Sequence, residues 1–396
     1  MGVLDGVTVV ALEQAVAAPF ATRQLADMGA RVIKIERLGG GDFARDYDQT
    51  VDGMSSHFVW LNRSKLSVEL NLKSPASRDA VVSLAKTADV FVQNLVPGAA
   101  ERLGLAADVL RGHNPRLIYC SISGYGSDGP YAHKKAYDLL VQCEAGFVSL
   151  TGTDDAPAKA GIAVADIAAG MYAYSGILAA LLRRASTGQG ATFEVSMLDA
   201  LGEWMGYPLY YAEYGGDLPK RTGTSHATIA PYGPFECTDG TVFIGVQNER
   251  EWAALCTSVL HRPGLLDEPR FANNSLRVQH RADLDAVIGS VTAGLTLQQA
   301  TELLDEAGIA NARLRTMHEF ADHEQLRSRG RWRTVGSPVG PLRALLPPAI
   351  LDGEEPSMGP IPQVGEHTAE ILGALDHRRS AGAAERPAAG ADESSR

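Results

Sequence analysis

One aspartate stands where a carboxylate could act as a nucleophile. Asp166 ends the apolar run 161–165 and opens the alanine- and leucine-rich stretch 167–184, whose composition predicts a long helix. We expect Asp166 at or near the N-cap, where backbone N–H groups and the helix dipole keep a carboxylate ionised at neutral pH. Acyl transfer to a carboxylate gives a reactive mixed anhydride and not a stable ester. On this stretch alone, the alternative is an aspartate that only caps the helix.

The elements around Asp166 alternate between strand and helix. Short apolar runs predict buried strands, and longer segments between them predict helices, which is the pattern of an α/β fold with a parallel sheet. The predicted strands are residues 7–12, 31–36, 66–72, 90–93, 117–122 and 192–196, and the predicted helices include 20–28, 77–87, 138–149 and 197–211. Ligands of such folds bind at the carboxyl ends of the strands.

Several common kinds of site are absent from the sequence. The turn after the first strand has no GxGxxG, so a dinucleotide site is not expected there. The chain also lacks HExxH, GxSxG and a Walker loop. Its four cysteines form no CxxC pair, which argues against a zinc site and against a disulfide framework. We therefore predict no metal and no permanently bound cofactor.

Composition narrows the range of partners. The net charge of −11 disfavours non-specific nucleic-acid binding, which requires a basic surface. No uninterrupted apolar run approaches the roughly 20 residues that span a bilayer. The N-terminal residues lack the basic and apolar regions of a secretory signal. We expect a cytoplasmic protein with no nucleic-acid or membrane partner.

The second half of the chain changes character. Residues 214–230 have little periodicity and predict a linker. Residues 231–330 contain a hairpin pattern around an Asp-Gly turn followed by helices, which indicates a smaller α+β domain. A return segment at 331–375 ends in a short helix, and residues 376–396, low in hydrophobic side chains, predict a disordered tail.

An ordered series of motifs resembles the CoA-transferases of family III. The series runs through nearly the whole chain up to the tail, and its order is more specific than any single motif. It comprises IKIER at 33–37, NRSK at 62–65, QNLVPGAAERLG at 93–104, SGYGSDGP at 123–130, YDLLVQCEAG at 137–146, LTG at 150–152, RRASTGQGATFEVSMLDA at 183–200, IAPYGPFECTDG at 229–240 and VGEHTAEIL at 364–372.

The resemblance implies an architecture and a site. It implies a Rossmann-like large domain made of residues 1–213 and 331–375, with the small domain inserted between them, and a homodimer of two interlocked chains. The family's catalytic aspartate falls on Asp166. Its CoA contacts fall on Gln14, Ala15, Arg37, Leu70, Lys73, Asn94, Arg102, Lys135 and Tyr137.

The resemblance also implies a reaction. An acyl-CoA, succinyl-CoA by preference, donates CoA to a small carboxylic or dicarboxylic acid through an aspartyl anhydride and an aspartyl-CoA thioester. CoA thioesters are co-substrates here. Gly161 and Gly170 flank Asp166 and would let a ligand approach backbone N–H groups, which would stabilise the oxyanions together with the helix start.

Two features place the chain among the branches of the family. The formyl-CoA transferases carry a glycine-rich loop in the second domain, whereas residues 225–232 here have no glycine run, which puts oxalate or formate specificity in doubt. The segments EQAVAAPFATRQLADMGARVIKIER at 13–37 and SSHFVWLNRSK at 55–65 look more like the branch that uses succinyl-CoA and dicarboxylates.

Two other functions compete with this interpretation. An α-methylacyl-CoA racemase shares the fold and the aspartate but has a histidine directly before the residue equivalent to Asp138. Two-base proton transfer needs groups on both faces of the α-carbon, and Tyr137 occupies that position here. The transferase is therefore favoured. The other alternative is a CoA-binding protein without turnover.

Overall fold

The chain alternates strands and helices along its length. The computed structural model describes residues 2–215 and 220–384. The strands are β1 Thr8–Leu12, β2 Arg31–Arg37, β3 Lys65–Leu70, β4 Val90–Gln93, β5 Ile118–Ser123, β6 Thr192–Ser196, β7 Tyr232–Cys237, β8 Gly240–Gly245, β9 Ala310–Arg313, β10 Trp332–Val335 and β11 Leu342–Leu345. The α-helices are α1 Ala17–Asp27, α2 Ser56–Leu61, α3 Pro75–Ala85, α4 Ala99–Arg102, α5 Ala107–His113, α6 Asp138–Glu144, α7 Phe147–Leu150, α8 Val164–Thr187, α9 Met197–Trp204, α10 Gly206–Tyr214, α11 Glu249–Ala254, α12 Asn274–Gln279, α13 Arg281–Thr292, α14 Leu297–Glu306, α15 Met317–Ala321, α16 Glu324–Ser328 and α17 Thr368–Ala384.

A parallel sheet of six strands forms the core of the large unit. Its order is β3-β2-β1-β4-β5-β6, and each neighbouring pair is parallel. The inner strands are apolar on both faces because helices cover both sides of such a sheet; Val9 and Val10 of β1 and Val90 of β4 are fully buried. The predicted α/β class with a parallel sheet is confirmed, and the strand order is that of a Rossmann fold.

The register brings particular residues together at the carboxyl end of the sheet. Arg37, the last residue of β2, is paired with Leu70, the last residue of β3. Leu12 at the end of β1 is paired with Gln93 at the end of β4. The loops that follow β1 to β4 therefore start side by side at one edge.

The helix that carries Asp166 packs against α1. The two helices are in close contact at Gly170, where an added Cβ would lie 2.7 Å from the carbonyl oxygen of Ala17 and 3.0 Å from the ring of Phe20. Gly170 thus serves helix packing, and our expectation that it leaves room for a ligand is wrong. A Cβ added at Gly161 would meet nothing within 4 Å.

Among the described residues, α8 is the one helix long and apolar enough to cross a membrane when only length and composition are considered. Several of its residues, including Ala169, Ala173 and Ile177, are fully buried, as in the core helix of a globular domain. The apolar composition of α8 is therefore weak support for a membrane span.

The chain divides into two compact units. The first comprises the described residues up to Ala145, Gly161–Met205 and those from Gly330 on; the second comprises Gly146–Ala160 and Gly206–Arg329. The second unit has an antiparallel sheet, β7-β8-β9, over a core that includes Trp252 and Phe271. We predicted boundaries at 213/214 and 330/331, with a linker at 214–230, and did not assign 146–160 to the second unit. Residues 216–219 of that linker lie outside the described part of the chain.

Three predicted elements have different ends in the structure. The predicted helix 138–149 is divided into α6 and α7 by Gly146, which has φ 77°. The predicted helix 197–211 is divided into α9 and α10 after Trp204. The predicted tail begins at 376, but α17 continues to Ala384, because extending an existing helix through alanine and arginine costs less than starting one. The rest of the predicted tail, 385–396, lies outside the described residues.

Candidate active site

A cleft of about 460 Å³ opens at the carboxyl ends of β1, β2 and β3. Four of the predicted CoA contacts line it: Gln14, Arg37, Leu70 and Lys73. The rest of its wall is largely aliphatic and is formed by Leu12, Glu13, Ile35, Glu36, Leu38, Asn71, Leu72, Leu95 and Leu103. The cleft thus combines an apolar lining with cationic groups at its mouth, as a site for a large amphipathic anion requires.

The two cations of the cleft are available to a ligand. Arg37 and Lys73 are both exposed, and neither has an ion-pair partner among residues 2–215 and 220–384. A guanidinium presents paired N–H donors that match phosphate oxygens, whereas an ammonium acts as a point charge. Together the two side chains can neutralise phosphate groups at the cleft.

The loop after β1 is fixed by long-range hydrogen bonds. The Gln14 N–H donates to Asn94 Oδ1 at 3.0 Å, and Asn94 Nδ2 donates to the Gln14 carbonyl at 2.9 Å. Ala15 has φ 62°, an uncommon value for a residue with a Cβ, and its N–H donates to Asp42 Oδ1 at 3.0 Å. Asn94 therefore supports the cleft through the main chain of Gln14.

The structure does not bring the remaining predicted CoA contacts into the cleft wall. Arg102 ends α4 and is exposed, with its guanidinium close to Gly98. Lys135 and Tyr137 lie on the loop before α6 and are exposed, Tyr137 by 67%. These three side chains project from the same unit as the cleft and are free of ion pairs within the described residues.

Asp166 lies in the first turn of α8, but a different aspartate caps the helix. The N-cap position is Ala163, which has no side-chain acceptor. Asp138 Oδ1, from α6, accepts the N–H of Ala165 at 2.8 Å and the N–H of Asp166 at 3.3 Å. No hydrogen bond to the Asp166 carboxyl group occurs in the described ranges. Our expectation that Asp166 caps α8 is wrong. We also expected oxyanion donors near Gly161 and at the start of this helix, where the N–H groups of Ala165 and Asp166 already have an acceptor.

The protonation of Asp166 follows from its surroundings. The side chain is half-buried, and burial, followed by repulsion from the carboxylate of Asp138, raises the pKa of Asp166 to about 7. Our expectation of a fully ionised carboxylate at neutral pH is therefore wrong. A carboxylate that is poorly solvated and not held by donors is more reactive toward an acyl carbonyl than a solvated one.

Tyr47 is electrostatically coupled to this region, and no sequence motif pointed to it. Burial, followed by the charges of Asp42, Asp166 and Tyr137, raises the pKa of Tyr47 to about 12. Its ring packs edge-on against His57 with centroids 5.4 Å apart. The Tyr47 hydroxyl thus stays protonated at neutral pH and keeps its capacity to donate a hydrogen bond.

Comparison with known families identifies the chain. The family described as CoA-transferase family III matches residues 4–368. The chain belongs to CoA-transferase family III. It is therefore an enzyme of the CoA-transferase type, whose co-substrates are CoA thioesters.

Named relatives of this family III CoA-transferase act on several acids. A succinyl-CoA:glutarate CoA-transferase of Mus musculus is 33% identical over 93% of this chain and 85% of its own length. A succinyl-CoA:mesaconate CoA-transferase of Haloarcula marismortui is 33% identical over 94% of this chain and 96% of its own. An acetyl-CoA:oxalate CoA-transferase of Acetobacter aceti is 37% identical over 83% of this chain and 85% of its own.

A solved structure agrees with the fold of this family III enzyme. A CAIB/BAIF family protein from Brucella suis superposes with a TM-score of 0.84, at 32% identity, over 95% of this chain and all of that chain. This agreement supports the same α/β arrangement for the two proteins.

A buried charge cluster lies next to the cleft of the family III enzyme and was missed by sequence reasoning. Glu13 Oε1 accepts from Lys65 Nζ at 2.6 Å, and Lys34 Nζ donates to Asp42 Oδ2 at 2.8 Å and lies 3.3 Å from Glu13 Oε1. The side chains of Glu13, Lys34 and Lys65 have no exposed surface. Burial, partly opposed by Glu13, lowers the pKa of Lys65 to about 7. Buried charges persist only when they are paired.

The NRSK motif supplies part of this framework in the family III enzyme. Asn62 Oδ1 accepts from Lys65 Nζ at 3.2 Å, and Arg63 makes two 2.7 Å hydrogen bonds to Asp27 at the end of α1. The motif series contained these residues, but we predicted no role for them. The motif is thus part of the structural support of the large unit.

Side chains that could ligate a metal do not cluster in the described part of the chain. Within the described residues, the His, Cys, Asp and Glu side chains include no group of three or more placed to hold a metal ion. The groups near the cleft are instead paired lysines and carboxylates.

Proposed function

We propose that this family III enzyme transfers CoA from succinyl-CoA to a small dicarboxylic acid, with Asp166 as the covalent nucleophile. The observation that carries the proposal is the cleft at the carboxyl ends of β1 to β3, which is lined by aliphatic side chains and by Arg37 and Lys73, two cations with no ion-pair partner among the described residues. That combination suits the phosphates and the chain of a CoA thioester. Asp166 is half-buried and receives no hydrogen bond from the residues that the structure describes, and it supplies the reactive carboxylate.

The choice of acids rests on the relatives. Two of the relatives named above use succinyl-CoA, with glutarate or mesaconate as the acid. The relative with the highest identity quoted above uses oxalate, and all three acids are dicarboxylates. We propose succinyl-CoA as the donor and a dicarboxylate of this size range as the acceptor, with the longer acids favoured because residues 225–232 lack a glycine run.

The first half of the proposed reaction forms a covalent intermediate. The Asp166 carboxylate attacks the donor thioester carbonyl, the C–S bond breaks, and the CoA thiolate leaves a mixed anhydride. The thiolate then attacks the aspartyl carbonyl of that anhydride, which releases the donor acid as its carboxylate and leaves an aspartyl-CoA thioester. Each step exchanges one acyl bond for another, so no oxidant or metal is required.

The second half runs the same steps in reverse with the acceptor. The acceptor carboxylate attacks the aspartyl thioester carbonyl, and CoA thiolate leaves a new mixed anhydride. The thiolate attacks the acceptor carbonyl, which forms the new CoA thioester and restores the Asp166 carboxylate. The ionised form of Asp166 is therefore required at the start, and its pKa of about 7 places this requirement near neutral pH.

We also propose that the enzyme is a homodimer of interlocked chains. The family resemblance implies this arrangement. Apolar side chains exposed on the single chain support it: in the first unit Leu182 of α8 is 77% exposed, and in the second unit Tyr210 and Tyr214 of α10 are 66% and 82% exposed. Exposed apolar side chains grouped on a helix are typical of a buried protein interface.

Replacing Arg37 by alanine tests the CoA cleft. We expect the KM for succinyl-CoA to rise about tenfold or more in R37A, because a charge-assisted phosphate contact is lost. The matched control is R31A, since Arg31 is the exposed residue at the opposite end of the same strand. Steady-state kinetics with several dicarboxylates measures both variants. Equal KM values in R37A and R31A would contradict the assignment of the cleft to CoA.

The same assay separates the transferase from the racemase. A racemase removes the α-proton of a 2-methylacyl-CoA, whereas the transferase exchanges CoA between acids. We expect CoA exchange and no loss of deuterium from an α-deuterated substrate, since Tyr137 precedes Asp138. Deuterium loss without CoA exchange would reverse the proposal.

A further inference from the structure

Three consecutive residues after β1, Glu13 to Ala15, are each held by hydrogen bonds from other parts of the chain. Glu13 is bonded by Lys65 and by the hydroxyl of Thr22, at 2.6 and 2.5 Å. Gln14 exchanges two hydrogen bonds with Asn94. Ala15 donates its N–H to Asp42. Glu13 and Gln14 line the cleft, so this fixed segment forms part of the cleft wall.

Ala15, the third of these residues, has an uncommon backbone conformation. Ala15 has φ 62°, a left-handed value that costs a residue with a Cβ about 1 kcal/mol or more and persists only where the surroundings impose it. The group that imposes it is Asp42, which is 1% exposed. Its Oδ1 accepts the N–H of Ala15 at 3.0 Å and the N–H of Ala44 at 2.9 Å.

Asp42 is itself fixed on every side. Its Oδ2 accepts from Lys34 Nζ at 2.8 Å, and its own N–H donates to Glu36 Oε2 at 2.9 Å. Arg45 in turn binds Glu36 through two hydrogen bonds of 2.8 and 2.6 Å. The Asp42 carboxylate therefore has little freedom to follow Ala15 if that residue moves.

We propose that Asp42 is a positioning residue for CoA binding, which holds Ala15 in the left-handed conformation so that the segment 13–15 keeps the shape of the cleft wall. This inference rests on the proposed function, since it assigns the cleft to CoA. Asp42 does not line the cleft. It acts through Ala15.

The proposal separates two properties of Asp42, its charge and its hydrogen-bond acceptor. The double variant D42N/K34M removes the buried ion pair but keeps a side-chain oxygen for the N–H groups of Ala15 and Ala44. The double variant D42A/K34M removes the same ion pair and the acceptor as well. Because both variants lack Lys34 and the Asp42 charge, their comparison separates the effect of the side chain that accepts from Ala15 and Ala44 from the cost of a buried charge.

The experiment measures binding of coenzyme A by calorimetry and the kinetics with succinyl-CoA. We expect D42N/K34M to bind CoA close to wild type, and D42A/K34M to show Kd and KM raised by about tenfold with a much smaller change in kcat. Hydrogen exchange of a peptide covering residues 13–20 should be faster only in D42A/K34M. If the role of Asp42 were only structural, the stability of both variants would fall alike and the Kd for CoA would not change.

A second pair of variants leaves the buried cluster intact. A15G keeps the N–H and accepts a left-handed φ, whereas A15P removes the N–H and fixes φ near −65°. We expect the KM of A15P to be about tenfold higher than the KM of A15G, because only A15P loses the hydrogen bond to Asp42. Two results would overturn the inference if the wild type binds CoA. One is a wild-type KM in A15P, and the other is an equal Kd in the two double variants. Absence of CoA binding in the wild type would overturn the proposed function as well.

Discussion

At the scale of single residues, Asp166 in the first turn of α8 and Asp138, which contacts that turn from α6, have different roles. Asp138 accepts the N–H groups of Ala165 and Asp166 and so satisfies the helix terminus. No group in the described part of the chain donates to the Asp166 carboxyl group, and burial, followed by the negative charge of Asp138, raises its pKa to about 7. The arrangement leaves an under-stabilised carboxylate at the point where the proposed nucleophile must act.

The raised pKa has a consequence for stability. Between the ordinary pKa near 4 and the folded value of about 7, the folded protein binds a proton that the unfolded chain has lost. The contribution of Asp166 therefore becomes less favourable as the pH rises through this window. We expect D166N to gain roughly 2 to 4 kcal/mol in the free energy of unfolding at pH 8, and little at pH 4.

Urea unfolding at both pH values measures this effect. E370Q serves as a control, since Glu370 is an exposed carboxylate in the first turn of α17 and should change the free energy of unfolding little at either pH. A D166N variant that is equally destabilised at pH 4 and pH 8 would show that Asp166 is ionised and well solvated in the folded enzyme.

The ionisation of Asp166 could not be read from the sequence. Asp166 at a predicted helix start looked like a cap, because aspartate is a preferred capping residue. The group that takes this role, Asp138, lies 28 residues earlier and reaches α8 only through tertiary packing. The buried charges of Lys34 and Lys65 escaped prediction for the same reason, since lysine is seldom fully buried unless it is paired.

At the scale of elements, the strands were the most predictable part. Residues 90–93 and 192–196 are strands with the predicted bounds, and the other strands of the large sheet differ by one or two residues. The inner strands β1, β2 and β4 were predictable because they are largely buried and their apolar runs are nearly continuous. Helix ends were less predictable, as with α6, because single glycines in left-handed conformations end helices within longer favourable stretches.

The contact between α1 and α8 sets the position of Asp166. We expect G170A to lose about 1 to 3 kcal/mol in the free energy of unfolding, because the added Cβ meets the backbone at Ala17. Displacement of α8 should also lower the transferase rate. The matched control is G202A in α9, where an added Cβ meets nothing within 4 Å and stability should rise by up to about 1 kcal/mol. Thermal unfolding of both variants measures the difference; a stabilised G170A would contradict the close contact.

At the scale of the whole molecule, the proposed assembly leads to a prediction about mass. The exposed apolar side chains of α8 and α10 should be buried between chains in solution. We expect light scattering with size exclusion to give twice the mass of one chain down to nanomolar concentration, because interlocked chains separate only on unfolding. A concentration-dependent monomer would contradict interlocking.

The proposed transfer of CoA depends on covalent chemistry at Asp166. The most direct measurement is mass spectrometry of the enzyme after incubation with succinyl-CoA and hydroxylamine, which converts an aspartyl anhydride or thioester to a hydroxamate. The account predicts modification on the peptide that contains Asp166, with none in D166N and with CoA exchange lost in that variant by at least about a thousandfold. An unmodified Asp166 together with retained CoA exchange in D166N would contradict it.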